Sequence, residues 1–155
     1  MAAWNNQAPV AKAEMLIRRP VEEVFEAFID PAVTTKFWFT HSSGRLEPGA
    51  RVKWEWDMYG ASAEVEVLEI EKNQRILIHF GSRVEWIFTS RGEKETFVTI
   101  TNTGFQGEAD DVVKQAIGST EGFTIVLCGL KALLEHGIVL NLVSDKAPYA
   151  HVKRG

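Results

Sequence analysis

The residues able to do chemistry are few and scattered. His41, His79, His136 and His151 are the four histidines, and no two stand at the spacing of paired metal ligands. Cys128 is the single cysteine, so it has no partner for an internal disulfide or a thiolate metal site, and on its apolar stretch it reads as a small buried hydrophobe. Ser42, Ser43, Ser82 and Ser119 lie in no nucleophile elbow. "GSTEG" at 118–122 lacks the lysine and the strand-to-helix setting of a phosphate loop, which excludes that kind of nucleotide role. No metal, no cofactor and no catalytic group is assigned.

Carboxylates and tryptophans alternate in "KWEWDMYG" at 53–60. Successive side chains of a strand point to opposite faces. Trp54, Trp56 and Met58 are therefore expected on one face, with Lys53, Glu55 and Asp57 on the other. Glu64 and Glu66 follow the same rule, so these acids are solvated and general acid–base work is not supported unless the register slips by one. What stays on the apolar side is a set of large rings, which suits binding better than catalysis. In "TFVTITN" at 96–102 either phase fits, leaving Thr99, Thr101 and Asn102 open as inward polar groups.

The elements that must position these rings follow from periodicity. Residues 11–19 predict a first strand. "RPVEEVFEAFIDP" predicts a short helix, with Pro20 in its first turn, Glu22 and Glu23 on the positive end of its dipole, and Val21, Val24, Phe25 and Phe28 in one stripe. "PAVTTKFWF" at 31–39 predicts a second short helix. About six antiparallel strands come next, over 44–105, joined by short turn-forming spacers such as Gly60, Asn73, Gly81 and Gly92. The hydrophobic phase slips at Leu68, where a bulge would carry Leu68 and Ile70 to the apolar side. A long helix is predicted from about Glu108 to His136, with Val112, Ala116, Phe123, Leu127, Leu130 and Leu134 in one stripe. Gly118, Gly122 and Gly129 lie inside it. A mid-helix glycine costs about 1 kcal/mol against alanine, so three of them imply a kink near 118–122 or close approach of another backbone or a ligand.

Composition narrows the function classes. A chain of 155 residues supports one domain, with the ends at 1–9 and 149–155 expected to be loose, although Trp4 could dock. The formal net charge of −4 argues against general nucleic-acid binding. The apolar run "FTIVLCGLKALL" at 123–134 is shorter than the roughly 20 residues that span a bilayer, so no membrane insertion is expected. One cysteine and the absence of a signal-peptide pattern at the start point to a reducing cytoplasm.

Only one predicted helix is long enough to cover the apolar face of so many strands, so the expected architecture is α+β, a curved antiparallel sheet gripping a long C-terminal helix. The order of elements, with "RPVEEVFEAFIDPAVTTKFWF" near the start and "EGFTIVLCGLKALLEHG" near the end, resembles the START-related helix-grip superfamily. Within it the chain is most similar to the single-domain group related to the activator of the heat-shock-chaperone ATPase, described broadly as polyketide-cyclase-like. The resemblance covers roughly 10–145 and implies a deep cavity between sheet and helix for apolar or aromatic small molecules, lipids or polyketide-like compounds. Many relatives have Gly-Trp where this chain has Gly122-Phe123, which keeps the bulk and removes an indole donor. The resemblance implies a further N-terminal domain in the chaperone activators themselves, and none is expected here.

The expected ligand-binding set is Trp38, Trp54, Trp56, Met58, Trp86, Phe88 and Phe123, with His41, directly after "FWFT", as a polar contact at the cavity mouth. The expected function is a non-catalytic carrier or sensor of a hydrophobic small molecule, acting as monomer or homodimer. A cyclase or aromatase enzyme is the first alternative, and a chaperone-modulating module is the second. The second would need an apolar outer sheet face, and that face carries Lys53, Glu55, Asp57, Glu64, Glu66 and Glu85.

Overall fold

The computed structural model describes residues 8–153. Trp4 and most of the N-terminal segment expected to be loose lie outside the described residues. Strand β1 (Ala11–Ile17) leads into helices α1 (Val21–Ile29) and α2 (Pro31–Thr34) and the short strand β2 (His41–Ser42). Then come β3 (Arg51–Trp56), β4 (Ala61–Glu71), β5 (Arg75–His79), β6 (Arg83–Ser90) and β7 (Thr96–Thr103). Helix α3 (Ala109–His136) and the single-turn α4 (Leu142–Asp145) follow, and then a 3-10 turn at Pro148–Ala150.

All seven strands form one antiparallel sheet in the order β1-β7-β6-β5-β4-β3-β2. The meander keeps chain order, and β1 joins at the far edge beside β7. Alternation decides which face is covered: Val84, Trp86 and Phe88 of β6 are buried together with Val98 and Ile100 of β7. Helix α3 packs on β1 and β7, and α1 packs on β6. Ala116, Phe123, Leu127 and Leu130 form the buried stripe of α3. This is the α+β helix-grip arrangement that the element order predicted.

Local chemistry sets the ends of α3. The Asp111 carboxylate accepts from the Glu108 N–H at 3.3 Å, half of a capping box. Gly137 adopts the left-handed conformation (φ 66°), and the N–H groups of Gly137 and Ile138 close on the carbonyls of Leu133 and Ala132. A polar clasp fixes the helix on the sheet edge. Lys131 Nζ donates to the Leu16 carbonyl (2.8 Å) and to Glu135 (2.6 Å), while Glu135 Oε2 also accepts from the Arg18 N–H (2.8 Å). Burial pushes the Glu135 pKa up, but these two donors outweigh it and hold the carboxyl below its ordinary value.

Several expectations need correction. Strand β3 stops at Trp56, because Asp57–Tyr59 turn into a 3-10 helix closed by left-handed Gly60 (φ 60°). Met58 and Asp57 therefore leave the two strand faces assigned to them. The second helix spans Pro31–Thr34 only; the Asp30 side chain caps it by accepting from the Ala32 N–H at 2.9 Å, and Phe37, Trp38 and Phe39 follow in a turn. The bulge in β4 exists, since register shifts between Val67 and Glu69. It leaves Leu68 40% exposed, however, and only Ile70 reaches the core. Helix α3 runs without interruption for 28 residues despite its glycines. In the tail, Val152 N–H donates to the Met58 carbonyl (2.9 Å), and His151 Nε2 lies 2.7 Å from the Ser144 carbonyl.

Candidate functional site: a cavity under the first half of the long helix

The three glycines of α3 have two different surroundings. At Gly129 the helix lies hard against the turn after α2, where an added Cβ would meet Phe37 Cβ at 3.3 Å and the Phe37 carbonyl oxygen at 3.4 Å. At Gly118 and Gly122 an added Cβ would meet nothing within 4 Å. The open space there is a cavity of about 440 Å³ between the first half of α3 and one end of the sheet. That lies in the range of small-molecule pockets, about 300–1,000 Å³.

Trp38 and Phe80 line it from the side of the sheet, and α3 contributes Phe123, Val126 and the bare positions Gly118 and Gly122. Trp38 comes from the turn after α2, and its ring packs 4.7 Å from Trp54 and 5.7 Å from Phe123. Phe80 comes from the hairpin between β5 and β6. One end of the cavity is polar. Asn102 Nδ2 donates to Ser82 Oγ (2.7 Å) and to the Arg83 carbonyl (2.8 Å), and the Ser119 hydroxyl donates to Asn102 Oδ1 (2.7 Å). Lys146 and Gln115 also line the cavity. The Lys146 ammonium is engaged by Glu121, and that hydrogen bond raises the lysine pKa.

The expected ring set is split by the structure. Trp38 and Phe123 stand in the cavity wall. Trp54 and Trp86 are each 1% exposed and form a packed layer behind the wall, where Trp54 stacks on Phe39 with ring centroids 4.7 Å apart. Trp56 is half-buried and stacks on Phe80 at 6.0 Å. Phe88 lies at the other end of the core, edge-on to Phe25 at 5.4 Å. Met58 lines a second, smaller hollow of about 170 Å³ shared with Gly129 and Leu142. His41 is exposed on β2 and pairs with Asp57 at 3.2 Å, so its imidazole is outside the cavity lining.

Sequence reasoning left Asn102 undecided and saw no role for Ser82 and Ser119. The burial of β7 alternates through Thr96, Val98, Ile100 and Asn102, which turns Asn102 inward and Thr99 and Thr101 away. The available signal was the i, i+4 pair Gly118 and Gly122, since two bare positions on one helix face leave room for something. Among the described residues no group of histidine, cysteine and carboxylate side chains could hold a metal ion.

A sheet wrapped on a long helix, with an apolar hollow between them, defines a helix-grip protein. The chain belongs to the family described as Activator of Hsp90 ATPase homolog 1-like protein, whose model matches residues 18–135. The crystal structure of the protein SSP2350 from Staphylococcus saprophyticus is similar, with 34% identity and a TM-score of 0.76 over 84% of this chain and 95% of that one. The Aha1 dimer from Colwellia psychrerythraea shares the fold at 18% identity and a TM-score of 0.71, covering 83% of this chain and 97% of that one. So does DynU16, a putative protein in the dynemicin biosynthetic locus, at 21% identity and a TM-score of 0.71, covering 86% of this chain and 49% of that one. No curated protein matches the chain by sequence.

Proposed function

We propose that the protein binds a hydrophobic or aromatic small molecule, lipid or polyketide-like, in the cavity beneath α3, as a non-catalytic carrier or sensor in the cytoplasm. The observation that carries this is the pair Gly118 and Gly122, whose missing side chains leave an apolar hollow of ligand size. Trp38 and Phe123 touch the ligand, Trp54 and Trp86 hold these two rings rigid from behind, Trp56 stacks on Phe80, and Phe88 stays with the core around Phe25. A carrier is favoured over a cyclase because Lys146 is the single ionisable group in the lining among the described residues, and Glu121 already engages it. The outer sheet face supports a soluble protein more than a docking platform, as it is laced with ion pairs such as Arg75 with Glu69 and Glu85.

The test is a titration with fatty acids, sterols and planar polyphenols, following tryptophan fluorescence and melting temperature. Saturable quenching with a raised melting temperature is expected. Gly122→Leu should fill the hollow, keep the fold and abolish both responses. A folded native protein that responds to no member of the panel would overturn the proposal.

A further inference from the structure

The polar end of the cavity has a fixed hydrogen-bond polarity. Asn102 is 5% exposed, and its carboxamide sits between three partners. One of them, the Arg83 carbonyl at 2.8 Å, can only accept. This forces the Asn102 NH2 group toward Arg83 and Ser82, and the carboxamide oxygen toward Ser119. The flipped carboxamide would set two carbonyl oxygens against each other. Ser119 must then spend its proton on Asn102, which leaves only lone pairs on its oxygen. Ser82 accepts from Asn102, so its own proton is free, and its hydroxyl donates no hydrogen bond among the described residues. Both serines line the cavity.

We infer that this end of the cavity selects a ligand carrying an uncharged hydroxyl, alcoholic or phenolic, on a rigid apolar body. Such a group accepts from Ser82 and donates to Ser119, using both vacancies at once. An ether or ketone meets Ser82 alone. A carboxylate meets one donor and the lone pairs of Ser119, and the nearest cation in the lining, Lys146, is held by Glu121. Taking an ionised group out of water against so little compensation is unfavourable. This assignment rests on the cavity being a ligand site, and adds which functional group the site takes.

The experiment is a calorimetric titration of the full chain with 2-naphthol, 2-methoxynaphthalene and 2-naphthoate, three probes on one apolar skeleton. 2-Naphthol is expected to bind about tenfold tighter than the methyl ether, the worth of one donated hydrogen bond, with the carboxylate weakest. Ser119→Ala should bring 2-naphthol and 2-methoxynaphthalene to equal affinity. Ser82→Ala should weaken both and leave their ratio in place. Equal binding of all three probes, or tightest binding of 2-naphthoate, overturns the selectivity while the cavity reading stands. Binding of none by a protein that melts cooperatively overturns both. A preference for 2-naphthol that survives Ser119→Ala places the hydroxyl elsewhere and also overturns the assignment.

Discussion

Phe37 packs on Gly129 so closely that an alanine methyl there would lie 3.3 Å from its Cβ and 3.4 Å from its carbonyl oxygen. The carbonyl oxygen is backbone and the Cβ moves only with it, so this contact gives way poorly. Replacing a mid-helix glycine by alanine ordinarily stabilises by about 1 kcal/mol. Gly118→Ala and Gly122→Ala should show that gain in urea unfolding, since nothing stands within 4 Å of the new methyl. Gly129→Ala should show none, and Gly129→Leu should destabilise by about 1–3 kcal/mol through overpacking. Equal gains at all three positions would mean that α3 does not press on the turn after α2.

Trp54 is part of the solid core, so Trp54→Ala should cost about 3–5 kcal/mol in unfolding experiments, the usual price of truncating a large buried ring. Phe123 is 7% exposed and stands in the cavity wall. Phe123→Ala should weaken ligand binding more than Trp54→Ala does, once both are measured well below their melting temperatures. The reverse order would move the binding surface to the layer behind Trp38.

The Glu135 carboxyl titrates below its ordinary value because Arg18 N–H and Lys131 stabilise the charged form. A lowered folded-state pKa contributes stability above the unfolded value, about 4.3 for glutamate. That contribution is lost as pH falls through the folded pKa. Glu135→Gln should therefore cost about 1 kcal/mol near neutrality, and the difference from the native protein should vanish in acid. A difference independent of pH would assign the clasp to packing.

Tyr59 donates its hydroxyl to the Val143 carbonyl and so holds α4 beside the cavity that Val143 helps to line. Tyr59→Phe should remove about 1 kcal/mol of local stability. Amide exchange should accelerate at Asp145 and Lys146, whose N–H groups close the α4 turn on Asn141 and Leu142. Unchanged exchange would show that α4 is held by its side-chain packing alone.

Much of this fold was legible from one-dimensional pattern. Period-two alternation marked the strands, the stripe from Ala116 to Leu130 marked the long helix, and the phase slip at Leu68 marked the bulge. The places where pattern failed are those where a backbone turn overrode it. Met58 follows Trp56 in perfect alternation, but left-handed Gly60 closes a 3-10 turn that the alternation rule does not register. The candidate site was harder to see, because its ingredients are one ambiguous asparagine, two serines and the absence of two side chains. Ser82, Asn102 and Ser119 are brought together from a hairpin, a strand and a helix. No spacing along the chain encodes that meeting. The large rings drew attention, yet Trp54 and Trp86 turned out to be masonry behind the wall.

The bare positions at 118 and 122 have a consequence for how such a protein can change over generations. Most substitutions there would favour the helix and shrink the cavity in the same stroke. Selection for foldedness alone would therefore drift toward a sturdier protein with nothing inside it. If the hollow is useful, the two glycines are held against that drift by the ligand alone, and a lineage released from the ligand should lose them early, well before Trp54 or the clasp at Glu135.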